Sequence, residues 1–282
     1  MPRHLNIACS QTRPLADFRS ALDEAVELAE IAVGSGAEML ALPEYCGGLK
    51  TDGAMFIPPT AREDEHLVLQ GLRNFARDNR VWISIGSLAV PGPENQIFNR
   101  GFVIDDTGSI RSRYDKIHMF DILLSETEVY QESALVSEGR QAVLIDTPLG
   151  HWGQTICYDL RFPHLYRELA KSGAEILLIP AAFTKKTGEA HWHVLNRARA
   201  IENGAFVVAA CAIGMVDGGG ESYGHSLIID PWGQVLADGG AERGVVQAVI
   251  DLDQVAAARV KIPSLKHDRP FHIGEPWQSD VA

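Results

Sequence analysis

The sequence predicts an α/β protein with a mixed β-sheet. Short apolar, β-branched runs bounded by Gly, Pro or Asp recur along the chain, and segments with helical spacing of apolar residues lie between several of them. This alternation places helices on the faces of a sheet. The turns Asp-Thr-Gly and Pro-Trp-Gly each join two apolar runs as hairpins, which makes some strand pairs antiparallel. The candidate strands are LNIACS, MLALPE, VWISIGSL, GFVIDD, AVLIDT, QTICYD, ILLIPA, FVVAACAI, SLIID and VVQAVIDLD.

Helices are predicted over residues 17–36, 63–79, 162–173 and 189–204, where apolar residues recur at helical spacing. Residues 121–138 show no clear period and predict a long loop, and such loops in compact domains often carry function. There is no Pro- or Ser-rich linker and no low-complexity tract. We therefore expect one domain over residues 1–282, with an extended polar tail from about residue 262.

The composition is that of a globular protein with small-molecule or protein partners. Of the 282 residues, 46% are hydrophobic and 22% charged, and the formal net charge is −12. An acidic chain lacks the general attraction that drives binding to nucleic acid or anionic lipid. The start of the chain shows no apolar signal core, and no apolar run approaches the roughly 20 residues of a membrane span. A cytoplasmic location is expected.

The cysteines predict free thiols, one of which is a candidate nucleophile. Cys9, Cys46, Cys157 and Cys211 are far apart and form no CxxC pair, which argues against disulfides and a zinc knuckle. Cys157 lies where an apolar run meets a helical segment, and backbone N–H groups at such a corner favour a thiolate and a developing oxyanion. The alternative is a buried, inert thiol. Cys46 and Cys211 are expected in the core.

A histidine partner for the thiol is not evident. His191 and His193 stand two apart on a predicted helix and cannot share a face, which weakens both a zinc pair and a Cys–His dyad. A metal-dependent hydrolase using these histidines and nearby acids stays an alternative. Glu44 and Lys116 follow two other apolar runs and could converge on Cys157, although each alone fits a loop cap or a solvated charge.

Three motifs resemble the catalytic motifs of the nitrilase superfamily of carbon–nitrogen hydrolases. They are "LPEY" with Glu44, "YDKIHMFD" with Lys116 and "ICYDLRFP" with Cys157, in this order. The resemblance is closest to the Nit amidase branch, which hydrolyses small linear amides such as ω-amides of keto acids and deaminated glutathione. It extends through "GAEILLIPAAF", "AHWHVLNRARAIEN", "YGHSLIIDPWG" and the terminal "IDLD".

The resemblance implies a fold and a set of roles. The fold would be a four-layer αββα sandwich with two mixed β-sheets, working without cofactor or metal and forming a homodimer or higher homo-oligomer. Cys157 would be the nucleophile, Glu44 the general base and Lys116 the cation that stabilises the tetrahedral intermediate. Glu132 in "YQES" would position substrate and lysine, and the Tyr158 N–H would bind the oxyanion.

The sequence around Cys157 favours amides over nitriles. Nitrile-specific members resemble one another in having Trp and Glu after the cysteine, whereas this chain has Tyr158 and Asp159. We expect a small, carboxylated ω-amide to be cleaved through a thioester with release of ammonia. The alternatives are an N-carbamoyl amino acid hydrolase, a nitrilase, and a catalytically silent scaffold.

Residues between Phe183 and His191 are expected to form a loop at the pocket mouth. Phe183 and Thr184 would line the pocket, and Lys185 or Lys186 would attract a substrate carboxylate, because an acidic protein needs local cations to hold an anion. Near the thiol, Asp159 and Arg161 are expected to form a structural pair.

Overall fold

The computed structural model describes residues 3–52, 55–125 and 128–274. The helices are α1 (Phe18–Gly34), α2 (Leu67–Asn79), α3 (Pro163–Lys171), α4 (Lys185–Asn203) and α5 (Asp253–Lys261), and single 3-10 turns cover Glu132–Ala134, Cys157–Arg161 and Ser264–Lys266. The strands are β1 (His4–Gln11), β2 (Met39–Ala41), β3 (Thr51–Asp52), β4 (Met55–Phe56), β5 (Trp82–Pro91), β6 (Ile97–Ile104), β7 (Ile110–Asp115), β8 (Asp121–Ser125), β9 (Glu128–Gln131), β10 (Val143–Thr147), β11 (Gly150–Gln154), β12 (Ile176–Leu178), β13 (Phe206–Ala209), β14 (Ile213–Met215), β15 (Glu221–Tyr223), β16 (Leu227–Ile229), β17 (Val235–Asp238) and β18 (Gly244–Asp251).

Two six-stranded mixed sheets form the centre of the molecule. The first has the order β18-β1-β2-β5-β6-β7 and the second the order β10-β11-β12-β13-β16-β17. Across each sheet the first pair is antiparallel, the next two pairs are parallel and the last two are antiparallel. The predicted hairpins are confirmed as the pairs β6–β7 and β16–β17.

The buried side chains define four layers. One cluster combines side chains of both sheets, among them Ile7, Met39, Trp152 and Phe206, and therefore lies between them. A second cluster packs α1 and α2 on the outer face of the first sheet, and a third packs α3 and α4 on the outer face of the second. Each sheet thus buries both faces, which explains its near-continuous apolar strands. The expected αββα sandwich is confirmed.

Local signals set several element ends. The Asp17 carboxylate caps α1 by accepting the N–H groups of Arg19 and Ser20, each at 3.0 Å. Helix α4 ends at Gly204, whose backbone is left-handed with φ 53°. Glycine adopts this conformation without steric cost.

Several expectations about secondary structure need correction. Asp121–Ser125 and Glu128–Gln131 pair as the hairpin β8–β9 and Glu132–Ala134 form a 3-10 turn, where an irregular loop was expected. Helix α4 begins at Lys185, four residues before the expected start, so Phe183 to His191 is not a loop. Helix α5 was not anticipated. Among the described residues no helix has the length and apolar character needed to cross a bilayer.

Candidate active site

Cys157 lies three residues beyond the end of β11 and opens a 3-10 turn. Its backbone has φ 48°, a left-handed conformation that costs a non-glycine residue about 1–2 kcal/mol. Its N–H donates to the Pro180 carbonyl at 2.8 Å, which ties the corner to the second residue after β12. The thiol is 7% exposed and lies at the end of a pocket. Surrounding contacts therefore hold the strained corner in place.

Asp159 supplies those contacts, and the expected pair with Arg161 is wrong. One Asp159 oxygen accepts the Ile156 N–H at 2.8 Å and the Tyr114 hydroxyl at 2.7 Å, and the other accepts the His118 N–H at 3.1 Å. The carboxylate is completely buried and points back under the turn. Arg161 instead extends outward along the aromatic wall of the pocket.

Glu44, Lys116 and Glu132 form one buried network. Lys116 Nζ donates to Glu44 Oε1 at 2.9 Å and to the two Glu132 oxygens at 3.0 and 2.8 Å. Glu44 Oε2 accepts the Ala182 N–H at 2.9 Å, and Glu132 Oε2 accepts the Phe120 N–H at 2.7 Å. The three side chains are at most 4% exposed. Glu44 and Lys116 thus follow β2 and β7 of the first sheet, and Glu132 follows the β8–β9 hairpin.

Asn99 is a member of this network that sequence reasoning missed. Its amide Nδ2 donates to Glu44 Oε1 at 2.9 Å and to Glu132 Oε1 at 3.3 Å. Its backbone carbonyl also accepts the Lys116 N–H at 3.0 Å. Asn99 therefore spaces the two carboxylates and the lysine. The sequence signal was weak, because a lone Asn within β6 has no distinguishing pattern.

The pKa values of the network differ from simple expectation. Burial lowers the pKa of Lys116, but the charges of Glu132 and Glu44 outweigh it and hold that pKa well above its ordinary value. Burial raises the pKa of Glu44, yet the Lys116 charge and the hydrogen bonds from Lys116 and the Ala182 N–H bring it below its ordinary value. The raised carboxyl pKa belongs to Glu132, through burial and the Glu44 charge.

The thiol is protonated in this environment. Burial first, and then the negative charge of Glu44, raise the pKa of Cys157 well above its ordinary value, although Lys116 opposes them. Neutral thiol, ionised Glu44 and ammonium of Lys116 therefore coexist at neutral pH. In this state a carboxylate able to accept the thiol proton is already ionised.

The thiol, the network and an aromatic wall enclose one small pocket. Its volume is about 20 Å³, enough for roughly one water molecule. A larger groove of about 770 Å³ lies elsewhere, but it contains none of these reactive groups. The small pocket is lined by Glu44, Tyr45, Phe56, Lys116, Phe120, Glu132, Cys157, Tyr158, Ala182, Phe183, Thr184 and Thr187.

The candidate substrate residues fall into two sets. Phe183 and Thr184 line the pocket, whereas Lys185 and Lys186 lie on the first turn of α4 outside the lining. Lys185 Nζ donates to the Glu221 carboxylate at 2.9 Å. Arg161, a cation that sequence reasoning did not assign to substrate, lies over two rings of the lining. Its guanidinium carbon lies 5.8 Å from the ring centre of Tyr158 and 5.4 Å from that of Phe183.

The histidines of α4 have separate surroundings. His191 Nδ1 lies 3.3 Å from an Arg161 nitrogen, and His193 Nε2 lies 3.0 Å from Asp238 Oδ2. The two rings thus contact different groups, as their spacing on a helix requires. Cys46 and Cys211 are buried, as expected, and burial raises the pKa of each to about 12.

A buried thiol beside a carboxylate and an ammonium, on an αββα sandwich, defines a class of hydrolase that attacks weakly electrophilic acyl carbon. The comparison with known families agrees. The family model described as carbon-nitrogen hydrolase matches residues 6–260. The chain belongs to this family and is a hydrolase of carbon–nitrogen bonds other than peptide bonds.

Its relatives are amidases of the Nit branch. The chain is 38% identical over 256 residues to a deaminated glutathione amidase of Dictyostelium discoideum, covering 86% of each chain. It is 34% identical to the omega-amidase NIT2 of Mus musculus, covering 88% of this chain and 89% of that one. Among solved structures, a mutant amidase from Nesterenkonia with an acetamide moiety added at its active-site cysteine superposes with TM-score 0.79 and 25% identity, covering 94% of both chains.

Proposed function

We propose that this protein is an amidase that hydrolyses the terminal amide of a small, linear, carboxylated substrate through a thioester on Cys157. The observation that carries the proposal is the contact of Lys116 with both Glu44 and Glu132 in the pocket that holds the thiol. Glu44, Lys116 and Glu132 are far apart in the sequence but in contact in the folded chain. In this proposal Glu44 is the base, Lys116 the electrophilic cation, and Glu132 the group that orients the lysine.

Acylation follows from this arrangement. Sulfur attacks the amide carbon while Glu44 takes the thiol proton, and the carbonyl oxygen becomes an oxyanion facing the Lys116 ammonium. Glu44 then gives its proton to the amide nitrogen, the C–N bond breaks, and ammonia leaves a thioester. Because the thiol pKa is raised and the Glu44 pKa lowered, proton transfer accompanies formation of the C–S bond.

Deacylation repeats the same roles with water. Glu44 accepts a proton from water as its oxygen attacks the thioester carbon, and Lys116 again faces the oxyanion. Collapse of the intermediate breaks the C–S bond, releases the carboxylic acid and returns the proton to sulfur. A second donor to the oxyanion is the Tyr158 N–H, for which no acceptor is found within the described part of the chain. A backbone donor of this kind contributes about 10²- to 10³-fold in rate.

The substrate class is inferred from the pocket and the relatives. The aromatic rings of Phe56, Phe120 and Phe183 in the pocket lining favour a slender acyl chain. Arg161, over the rings of the wall, is well placed for a substrate carboxylate at the pocket mouth, and Lys185 and Lys186 on the first turn of α4 remain candidates for the same role. The relatives' names, deaminated glutathione amidase and omega-amidase, indicate carboxylated amides.

The test is an ammonia-release assay over ω-amides of keto acids, deaminated glutathione, carbamoyl amino acids and nitriles. We expect release from the carboxylated amides, none from Cys157→Ala, and near-normal release from Cys9→Ala, whose buried cysteine lies between the sheets. Intact mass after a quench should show the acyl group on Cys157. Equal ammonia release by Cys157→Ala would refute the mechanism. Selective turnover of nitriles would identify a nitrilase, and selective turnover of carbamoyl amino acids would identify an N-carbamoyl amino acid hydrolase. No turnover by a folded protein would favour a silent scaffold.

We also propose one domain over the whole chain, with a tail from about residue 262, and self-association as a dimer. The common core of both sheets supports one domain. The tail contacts α3 through Asp268 and Arg167 and exposes Phe271 and Ile273, with exposed fractions of 84% and 94%, as a surface for a second copy. Light scattering should give twice the chain mass. A cytoplasmic location is supported by the free cysteines, which a reducing compartment preserves.

A further inference from the structure

Two histidines and an aspartate converge on a surface beside α4, apart from the thiol pocket. His193 Nε2 lies 3.0 Å from Asp238 Oδ2, and His225 Nδ1 lies 2.9 Å from Asp238 Oδ1. One nitrogen or oxygen atom of each residue lies within 4.8 Å of the others. Within residues 3–52, 55–125 and 128–274, this is the one group of three such side chains that could hold a metal ion. None of the three lines the thiol pocket.

We propose that His193, His225 and Asp238 bind a divalent transition-metal ion of the zinc type. Imidazole nitrogen and carboxylate oxygen bind zinc at about 2.0–2.2 Å in a tetrahedral arrangement, which places neighbouring ligand atoms about 3.3 Å apart. His193 Nε2 lies 3.0 Å from Asp238 Oδ2 and His225 Nδ1 lies 2.9 Å from Asp238 Oδ1, and the three ligand atoms lie within 4.8 Å of one another. Rotation of the carboxylate and the rings would place one oxygen and both nitrogens around one ion. Side-chain exposure of 26–34% leaves room for an ion to enter and for water as the fourth ligand.

The surrounding structure orients the ligands. Asp238 Oδ1 also accepts the Gly240 N–H at 2.9 Å, which fixes the carboxylate. The Tyr223 ring stacks on His225 with ring centres 4.6 Å apart. The His225 backbone has φ 51°, and two hydrogen bonds hold it there. Its N–H donates to the Gly240 carbonyl, and its carbonyl accepts from Trp192 Nε1. Contacts of this kind around ligands commonly change metal affinity 10 to 100-fold.

The charge at the site suits a cation. Both histidines direct a nitrogen at the Asp238 carboxylate, His193 Nε2 at Oδ2 and His225 Nδ1 at Oδ1. In place of the two histidine–carboxylate hydrogen bonds, one nitrogen of each histidine and one oxygen of Asp238 would coordinate the ion.

Bound metal would stiffen the back of the thiol pocket without entering the reaction. Trp192, which donates to the His225 carbonyl, has its ring centre 5.0 Å from that of Phe183 in the pocket wall. The Tyr223 N–H donates to the Phe183 carbonyl at 2.9 Å. The ion would join α4 to the segments on either side of β16, so its role is structural.

The test is zinc titration of tag-free, chelator-treated full-length protein. The titration uses Cys157→Ala, since the thiol is a competing zinc ligand. Competition with a chromophoric chelator should give one tightly bound Zn²⁺ per chain. Adding His193→Gln or Asp238→Asn should weaken binding at least 10-fold and remove the zinc-dependent rise in melting temperature. Cobalt should give the absorption of a tetrahedral nitrogen–oxygen site without thiolate bands.

The matched control is His151→Gln. His151 also pairs with an aspartate, its Nδ1 lying 3.3 Å from Asp146 Oδ1, but this pair is not part of a three-ligand group. Its zinc affinity should be unchanged. Absence of saturable binding at micromolar Zn²⁺, or equal affinity in Asp238→Asn, would overturn the proposal. If a variant fails to fold by circular dichroism, the stoichiometry and cobalt spectrum of the parent protein decide alone.

Discussion

Replacing Lys116 by methionine tests the proposed site most directly. The substitution keeps an unbranched chain of similar volume and removes a cation that hydrogen-bonds to Glu44 and Glu132 at 2.8–3.0 Å. For catalysis it removes the charge facing the oxyanion, which corresponds to about 10² to 10⁴ in kcat. That loss amounts to about 3–5 kcal/mol of transition-state stabilisation.

The same substitution has an effect on stability with a defined pH dependence. Removing one partner of a buried ion pair costs about 3–5 kcal/mol, because buried charge is left uncompensated. The lysine is also what lowers the pKa of Glu44, so in its absence burial raises the pKa of both glutamates. A carboxyl group with a raised folded-state pKa favours folding when protonated. The deficit relative to wild type is therefore largest at neutral pH and shrinks as the pH falls through those raised pKa values.

The assays are urea denaturation at pH 7 and pH 5 and a pH profile of kcat/KM. The acid limb of the profile should move to higher pH in Lys116→Met, since the base must lose a proton at a higher pKa. Lys185→Met is the control, because it removes an exposed lysine that also contacts a glutamate, and it should leave stability and kcat nearly unchanged. Less than a 10-fold loss of kcat in Lys116→Met, with the acid limb unmoved, would refute the role given to the lysine.

Three further predictions concern packing, substrate and thiol. Gly188→Ala should lower the free energy of unfolding by about 1–3 kcal/mol, because the new Cβ would lie 2.3 Å from the Tyr223 ring. In the control Gly34→Ala the new Cβ meets nothing within 4 Å, so that variant should be more stable in urea denaturation. Equal effects of the two substitutions would disprove the close packing at Gly188. Arg161→Met should raise KM for carboxylated amides about 10-fold with little change for neutral amides, and a uniform change would exclude carboxylate binding. Alkylation of Cys157 by iodoacetamide should keep accelerating above pH 9, and a plateau near pH 7 would contradict its raised pKa.

The sequence predicted the apolar strands and the reactive residues near their ends, but not the network that joins those residues. The strands end earlier than predicted, at Ala41 before Glu44 and at Gln154 before Cys157. The position of Glu44 and Cys157 after apolar runs made them candidates, and the resemblance of their motifs to those of the nitrilase superfamily implied their roles. Asn99 was missed because its role depends on the distance between two carboxylates that only tertiary packing brings together. The start of α4 was missed because Thr187 and Gly188 have weak helix propensity. Packing stabilises the helix there, with Gly188 allowing Tyr223 to approach.

The pocket depends on the packing of the two sheets against each other. Glu44 and Lys116 follow strands of the first sheet, whereas Cys157 and the Ala182 N–H follow β11 and β12 of the second. The hydrogen bond from Ala182 to Glu44 therefore crosses the junction between sheets, and so does the electrostatic coupling of Glu44 with the thiol. The inter-sheet core, with Trp82 and Trp152 in edge-to-face contact at 5.7 Å, fixes this alignment. Because a displacement of about 1 Å can cost 10²-fold in rate, we expect substitutions in the inter-sheet core to change the rate through the relative positions of Glu44 and Cys157.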